Sequence, residues 1–147
     1  MTQIPSFEEI VKYHGHLCPG IAIGYKISCV AVEWAGNEEN IKVYSNSTRC
    51  PLDALQLVFH LREHPERLKV EDKNVLHFIL EKPNGDKLYF DEVPGSKIRT
   101  NECDILRERV HTGIATKEEI ARFDEIQNEY LHMIFETPNE KLFTTHT

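Results

Sequence analysis

The order of apolar periodicities and turn signals predicts a single α+β domain over residues 1–147. Three observations carry that prediction. Residues 21–34 are apolar almost throughout, the pattern of a helix buried on nearly all sides. Two strand-like runs, 75–80 and 87–90, flank Pro83-Asn84-Gly85-Asp86, whose Asn-Gly step is a hairpin signal. Thr116-Lys117-Glu118-Glu119 is a capping box opening a helix with Ile120, Phe123, Ile126, Tyr130 and Ile134 at helical spacing.

Taken in order, Ser6 caps a short helix through Phe7, Ile10 and Val11, with Glu8 and Glu9 in its first turn and Gly15 at its end. Pro19 suits the first turn of a second helix, with Cys18 as its N-cap. Lys26 and Glu33 are the main exceptions to that helix's apolar run, and Gly36 closes it. Gly20, Gly24 and Ser28 fall four apart, a small-residue stripe against which another backbone can pack closely. Residues 40–44 alternate as a strand, with Ile41 and Val43 on one face. After the polar loop 45–48, Cys50-Pro51-Leu52-Asp53 repeats the earlier grammar of cysteine, proline, helix. Leu52, Leu55, Val58 and Phe59 give that helix an apolar face, and Pro65 is expected to break it. Pro94-Gly95 marks a turn, 101–111 reads as a helix, Pro138 lies beyond the capping-box helix, and 141–145 reads as a last short strand. No internal repeat, low-complexity segment or linker interrupts the chain.

Composition narrows the function classes. A formal net charge of −7 argues against a general nucleic-acid binder or a binder of anionic membranes, since both need a basic surface. No apolar stretch reaches the roughly 18 residues of a membrane span, and the first six residues lack the layout of a secretory leader. The expectation is a cytoplasmic protein. In a reducing compartment the four cysteines, Cys18, Cys29, Cys50 and Cys103, are more often ligands, catalytic groups or core residues than disulfides.

The densest chemistry is His14-Gly15-His16-Leu17-Cys18-Pro19-Gly20. Imidazole and thiol donors at this spacing point to a transition metal, zinc first. Cys18 and Cys50 are both placed at helix N-termini, where the positive end of the dipole should lower a thiol's pKa. If those two helix starts converge, two thiolates and His16 form a cation pocket, with His14 a second candidate. Three protein ligands leave a tetrahedral position open, as in catalytic zinc sites, and four close it. The competing role for such cysteines is as small buried hydrophobes. That role fits Cys29 inside the apolar helix, and Cys103 also reads as structural. Asp53, third in its helix, is placed to meet the free amides of that first turn; its functional role would be general base or partner to a metal-bound histidine. His60, His64 and His77 are further histidines that could approach the pocket. Tyr13 and Tyr25 either line the site or pack. Lys82, Lys87 and Arg99 read as solvated charges.

The stretch from Tyr13 to Tyr25 closely resembles the opening signature of the FmdE/FwdE family, the E subunits of formylmethanofuran dehydrogenase, and Cys50-Pro51-Leu52-Asp53-Ala54-Leu55-Gln56 resembles its second signature. The hairpin at Asn84-Gly85 and the closing Pro138-Asn139-Glu140-Lys141-Leu142-Phe143 fall where that family would place them. The resemblance implies an α-β-α-β-β-β core with a mixed or antiparallel sheet flanked by helices, of the FwdE/GAPDH-domain-like kind. It implies a homodimer from an anaerobic or methanogenic prokaryote, with metal ligands among His14, His16, Cys18 and Cys50 and with Asp53 alongside. The family is named for an operon encoding a molybdenum or tungsten enzyme that reduces carbon dioxide onto methanofuran, and the activity of its own members is not established. Three departures stand out. This sequence has no paired Cys-x-x-Cys motif of the kind that builds a C-terminal zinc finger in many members. It reads His60-Leu61-Arg62-Glu63-His64-Pro65 where a loop with Gly and Lys is common. It reads Asn46-Ser47-Thr48-Arg49 where an acidic residue often precedes the second cysteine.

The expected function is therefore a protein binding zinc, or another divalent transition metal such as nickel or iron, as an accessory to molybdenum or tungsten redox enzymes. Two other classes compete: a small, hydrolase-like zinc-dependent enzyme using metal-activated water, and an interaction subunit whose metal is structural.

Overall fold

The computed structural model describes residues 4–15, 18–93 and 101–147. Its elements run α1 (Phe7–His14), α2 (Pro19–Ala35), β1 (Lys42–Ser45), α3 (Cys50–Val58), β2 (Leu68–Val70), β3 (His77–Glu81), β4 (Lys87–Glu92), α4 (Asn101–His111), α5 (Lys117–Glu136) and β5 (Phe143–His146). The α-β-α-β-β-β order is the run from α2 to β4. The strands form one sheet in the order β2-β1-β3-β4-β5. β1 and β2 pair in parallel across α3, and the other pairs are antiparallel. The fold is thus α+β with a mixed sheet.

Local chemistry sets the ends of these elements. The Ser6 hydroxyl accepts from the Glu9 N–H, and Gly15 at φ 101° supplies the left-handed turn that stops α1. Pro19 opens α2 at a position whose N–H would have no helical partner. Gly85 at φ 94° makes the β3–β4 turn. In α5 the Thr116 hydroxyl accepts from the Glu119 N–H while the Glu119 carboxylate accepts from the Thr116 N–H, the reciprocal capping box.

The inward face of the sheet, with Val43, Phe78, Leu80, Leu88, Phe90 and Phe143, packs on Ile23, Ile27 and Ala31 of α2, on Leu52, Leu55 and Val58 of α3, and on Leu131 and Ile134 of α5. Tyr44, His77, Ile79 and Tyr89 alternate to the opposite face. Helices α4 and α5 close a second, smaller cluster around Cys103, Leu106, Phe123 and Ile126, so Cys103 is structural as the sequence suggests.

Several expectations are corrected. The helix after Cys50 does not run to Pro65: it ends at Val58, Phe59 caps it, and His60 takes a left-handed φ of 54°. Strand β2 has no counterpart in the sequence reading. Helix α2 is not buried all round. Cys29, expected in the core, is exposed, and Lys26 uses its ammonium to donate to the carbonyls of Ile134 and Thr137 at the C-terminus of α5. Lys82 is not simply solvated, since its ammonium sits 4.6 Å over the Trp34 ring. The Pro94-Gly95 turn and Arg99 lie outside the described residues. Among those residues no helix is long and apolar enough to cross a membrane.

Candidate metal centre

Three helix ends meet at one place. His14 is the last residue of α1, Cys18 is the N-cap of α2, and Cys50 opens α3 one residue after its N-cap, Arg49. Helices α2 and α3 can approach closely because α2 presents glycine where they cross. A Cβ on Gly24 would lie 2.8 Å from Pro51 Cα, and one on Gly20 would lie 3.1 Å from Cys50 Cβ and 3.4 Å from Cys50 Sγ. The small-residue stripe therefore seats the α3 backbone, and that seating carries the Cys50 thiol to Cys18.

One donor atom each from His14, Cys18 and Cys50 lies within 4.8 Å of the others. Cys18 Sγ is 3.6 Å from His14 Nε2. Zinc bonds of ~2.3 Å to sulfur and ~2.05 Å to nitrogen, at a tetrahedral angle, require an N···S edge of about 3.6 Å. The donor set and its spacing fit a borderline divalent ion. A small apolar cluster of Ile10, Cys18, Ile21 and Ala54, flanked by Phe7, Val11, Tyr25 and Leu57, surrounds the thiols.

Asp53 completes the arrangement. The sequence favours a capping role, and the structure instead turns Oδ2 of this side chain to His14, accepting from Nδ1–H at 2.6 Å. An ionised carboxylate only accepts, so the proton sits on Nδ1 and the lone pair on Nε2, the nitrogen facing Cys18. The His14 side chain is 8% exposed and that of Asp53 29%. This is the carboxylate–histidine pairing that orients metal-bound imidazoles in general.

The thiol electrostatics differ from the expectation. The hydrogen bond with Cys50 raises the Cys18 pKa most, burial raises it further, and the Cys50 charge adds to both. The backbone N–H groups of Ile21 and Gly20 pull the other way, as a helix start should, and are outweighed. Two thiols this close and this dry ionise together only beside a cation.

The remaining sequence candidates separate from this place. His16 lies outside the described residues. His60 is exposed, His64 pairs with Glu66 at 3.4 Å, and His77 pairs with Asp91 on the open sheet face. Tyr25 packs edge-on against Phe7 and Phe135. Tyr13 lies beneath the Arg62 guanidinium, 4.6 Å from its ring centroid. Burial raises the Tyr13 phenol above its ordinary value, Arg62 opposes that, and the Asp53 carboxylate reinforces it. Gly20 is a site residue that motif reading treated only as packing; the signal was its place two residues after Cys18 on the glycine stripe.

The family described as FmdE, molybdenum formylmethanofuran dehydrogenase operon, matches residues 13–144. The crystal structure of an FmdE-like protein of the tungsten formylmethanofuran dehydrogenase from Syntrophus aciditrophicus is similar with a TM-score of 0.60 at 18% identity, covering 98% of this chain and 73% of that one. At that identity the likeness is one of fold. No curated protein matches the chain.

Proposed function

Since the chain belongs to the FmdE family, we propose that it is a divalent-metal-binding protein, zinc being the best-suited ion, that serves as an accessory to molybdenum or tungsten redox enzymes. The observation that supports this reading is the convergence of His14, Cys18 and Cys50, with Asp53 holding the far nitrogen of the imidazole. Two sulfurs and one nitrogen suit zinc, and they also accept nickel or iron. In this reading His14 Nε2, Cys18 Sγ and Cys50 Sγ hold the ion, and Asp53 is a positioning residue. The match to a family named for an operon of a molybdenum enzyme supports the accessory role. Cytoplasmic location and a homodimer accompany the same proposal.

A second reading is a small zinc-dependent enzyme. It is favoured by one feature: three described donors leave a tetrahedral ion with one free position. A bound zinc ion would supply Lewis acidity there. His16 as a fourth donor would instead close the site and make the ion structural.

Elemental analysis of the purified protein tests the proposal. The expected result is about one transition-metal ion per chain, lost in Cys18→Ser and in Cys50→Ser while circular dichroism shows an intact fold. Unchanged metal content in both variants would overturn the site. A retained ion in the intact protein with four protein donors would favour the structural reading over the enzymatic one.

A further inference from the structure

The open face of the sheet holds a second constellation, remote from the cysteines. A cleft of about 280 Å³ opens over β1, β2 and the start of β3, lined among others by Tyr44, Lys69, Glu71, Lys73, His77 and Ile79. Cross-strand register builds its floor: Lys69, Tyr44 and Ile79 are consecutive partners across β2, β1 and β3, so they share one face. His77 lies two residues before Ile79 and therefore on that face too.

The His77 ring is oriented from the far side. Its Nδ1–H donates to Asp91 Oδ1 at 2.6 Å, and Asp91 is the register partner of His77 on β4. Since β3 lies between β4 and β1, a ring tied to β4 through Nδ1 presents Nε2 toward β1 and the cleft. With the proton held on Nδ1 by an acceptor-only carboxylate, Nε2 offers a lone pair. On the opposite wall Glu71 and Lys73 pair with each other at 3.8 Å. Lys69 has no carboxylate partner among the described residues, so its ammonium is the uncompensated charge of the cleft.

We propose that this cleft is a second, metal-independent ligand site for a small oxyanion that carries its own hydroxyl, such as a hydroxy acid or hydrogen phosphate, with Lys69 facing the anionic oxygen and His77 Nε2 accepting from the O–H. The two protein groups ask for two different things. An ammonium wants a negative oxygen, and an imidazole lone pair wants a donor. A ligand with both satisfies the cleft in one step. The volume lies just below the 300–1,000 Å³ typical of pockets for larger organic ligands, which selects a molecule of few heavy atoms. The Tyr44 ring and Ile79 side chain supply an apolar floor for its carbon part.

The test is a titration of the full chain with glycolate, inorganic phosphate and acetate, following the His77 ring nitrogens by NMR. Glycolate or phosphate is expected to give a saturable shift at Nε2. Acetate, which lacks the hydroxyl, is expected to bind about tenfold more weakly than glycolate, the factor one lost hydrogen bond is worth. Lys69→Ala is expected to weaken every anion that binds, and His77→Gln to remove the preference for glycolate over acetate. A stronger response to phosphate than to glycolate would assign the phosphate branch, and the reverse the hydroxy-acid branch. The proposal is overturned if no anion gives a saturable shift, if acetate matches glycolate, or if Lys69→Ala binds as the parent does. Cys18→Ser serves as the control: this site should survive loss of the metal centre.

Discussion

His14 has two ring nitrogens, and the fold gives them separate tasks. Nδ1 is held by Asp53 and Nε2 faces Cys18. The identity of both cysteines is legible in the sequence, because Cys-Pro at the head of an apolar helix occurs twice. The partnership of His14 with Asp53 is not, because the two lie 39 positions apart and meet only through the crossing of two helices. The Cys18 thiol teaches a related lesson. A helix start alone lowers a thiol's pKa, but the sequence does not say how near the second thiol will be, and that nearness reverses the sign. If Asp53 orients the imidazole, Asp53→Asn should weaken zinc affinity by roughly 10–100-fold without abolishing binding. Competition against a chromophoric chelator measures this, and unchanged affinity would remove Asp53 from the site.

Among the elements, the α2–α3 crossing decides whether the site exists. Gly24→Ala places a methyl 2.8 Å from Pro51 Cα and 2.9 Å from Ala54 Cβ. Such overpacking should cost about 1–3 kcal/mol of stability and should lower metal affinity as well, because the helix that must shift carries Cys50. Urea denaturation and chelator competition on the same variant read both effects. The α4–α5 pair offers a pH prediction. The hydrogen bond from Arg109 holds the Glu119 carboxyl below its ordinary value, with help from the Thr116 N–H. A carboxyl depressed on folding contributes stability above its unfolded pKa, and that contribution fades as pH falls through the folded one. The melting-temperature difference between the parent and Glu119→Gln should therefore shrink on acidification below the carboxylate range, and also in added salt. Strand β2 escaped the sequence reading because three residues, Leu68-Lys69-Val70, carry too little alternation to register. It is a strand through its parallel pairing with β1. The early end of α3 was hidden for a similar reason: Pro65 is the visible breaker, while the left-handed turn at His60 belongs to a residue with no such signal.

The whole molecule separates its stability from its chemistry. The large core between the sheet and helices α2, α3 and α5 is one cluster, and the apolar shell around the thiols is another. Removing the ion should therefore leave the α+β fold standing, with a lower melting temperature that recovers as zinc is titrated back. Loss of helical circular dichroism on chelation at 25 °C would mean instead that the ion holds the fold together. The general architecture was readable in advance because caps, glycines and the Asn-Gly turn punctuate the chain at nearly every element. Which histidines gather at the thiols was not, since His14 and His77 each pair with an aspartate at 2.6 Å and only the fold puts one beside the cysteines and the other on the open sheet. Zinc K-edge absorption spectroscopy of the metal-loaded chain reads the centre most directly. Two sulfur scatterers at about 2.3 Å with at least one nitrogen at about 2.0–2.1 Å are the expected result. A shell of oxygen and nitrogen alone, with both thiols still open to alkylation, would contradict it.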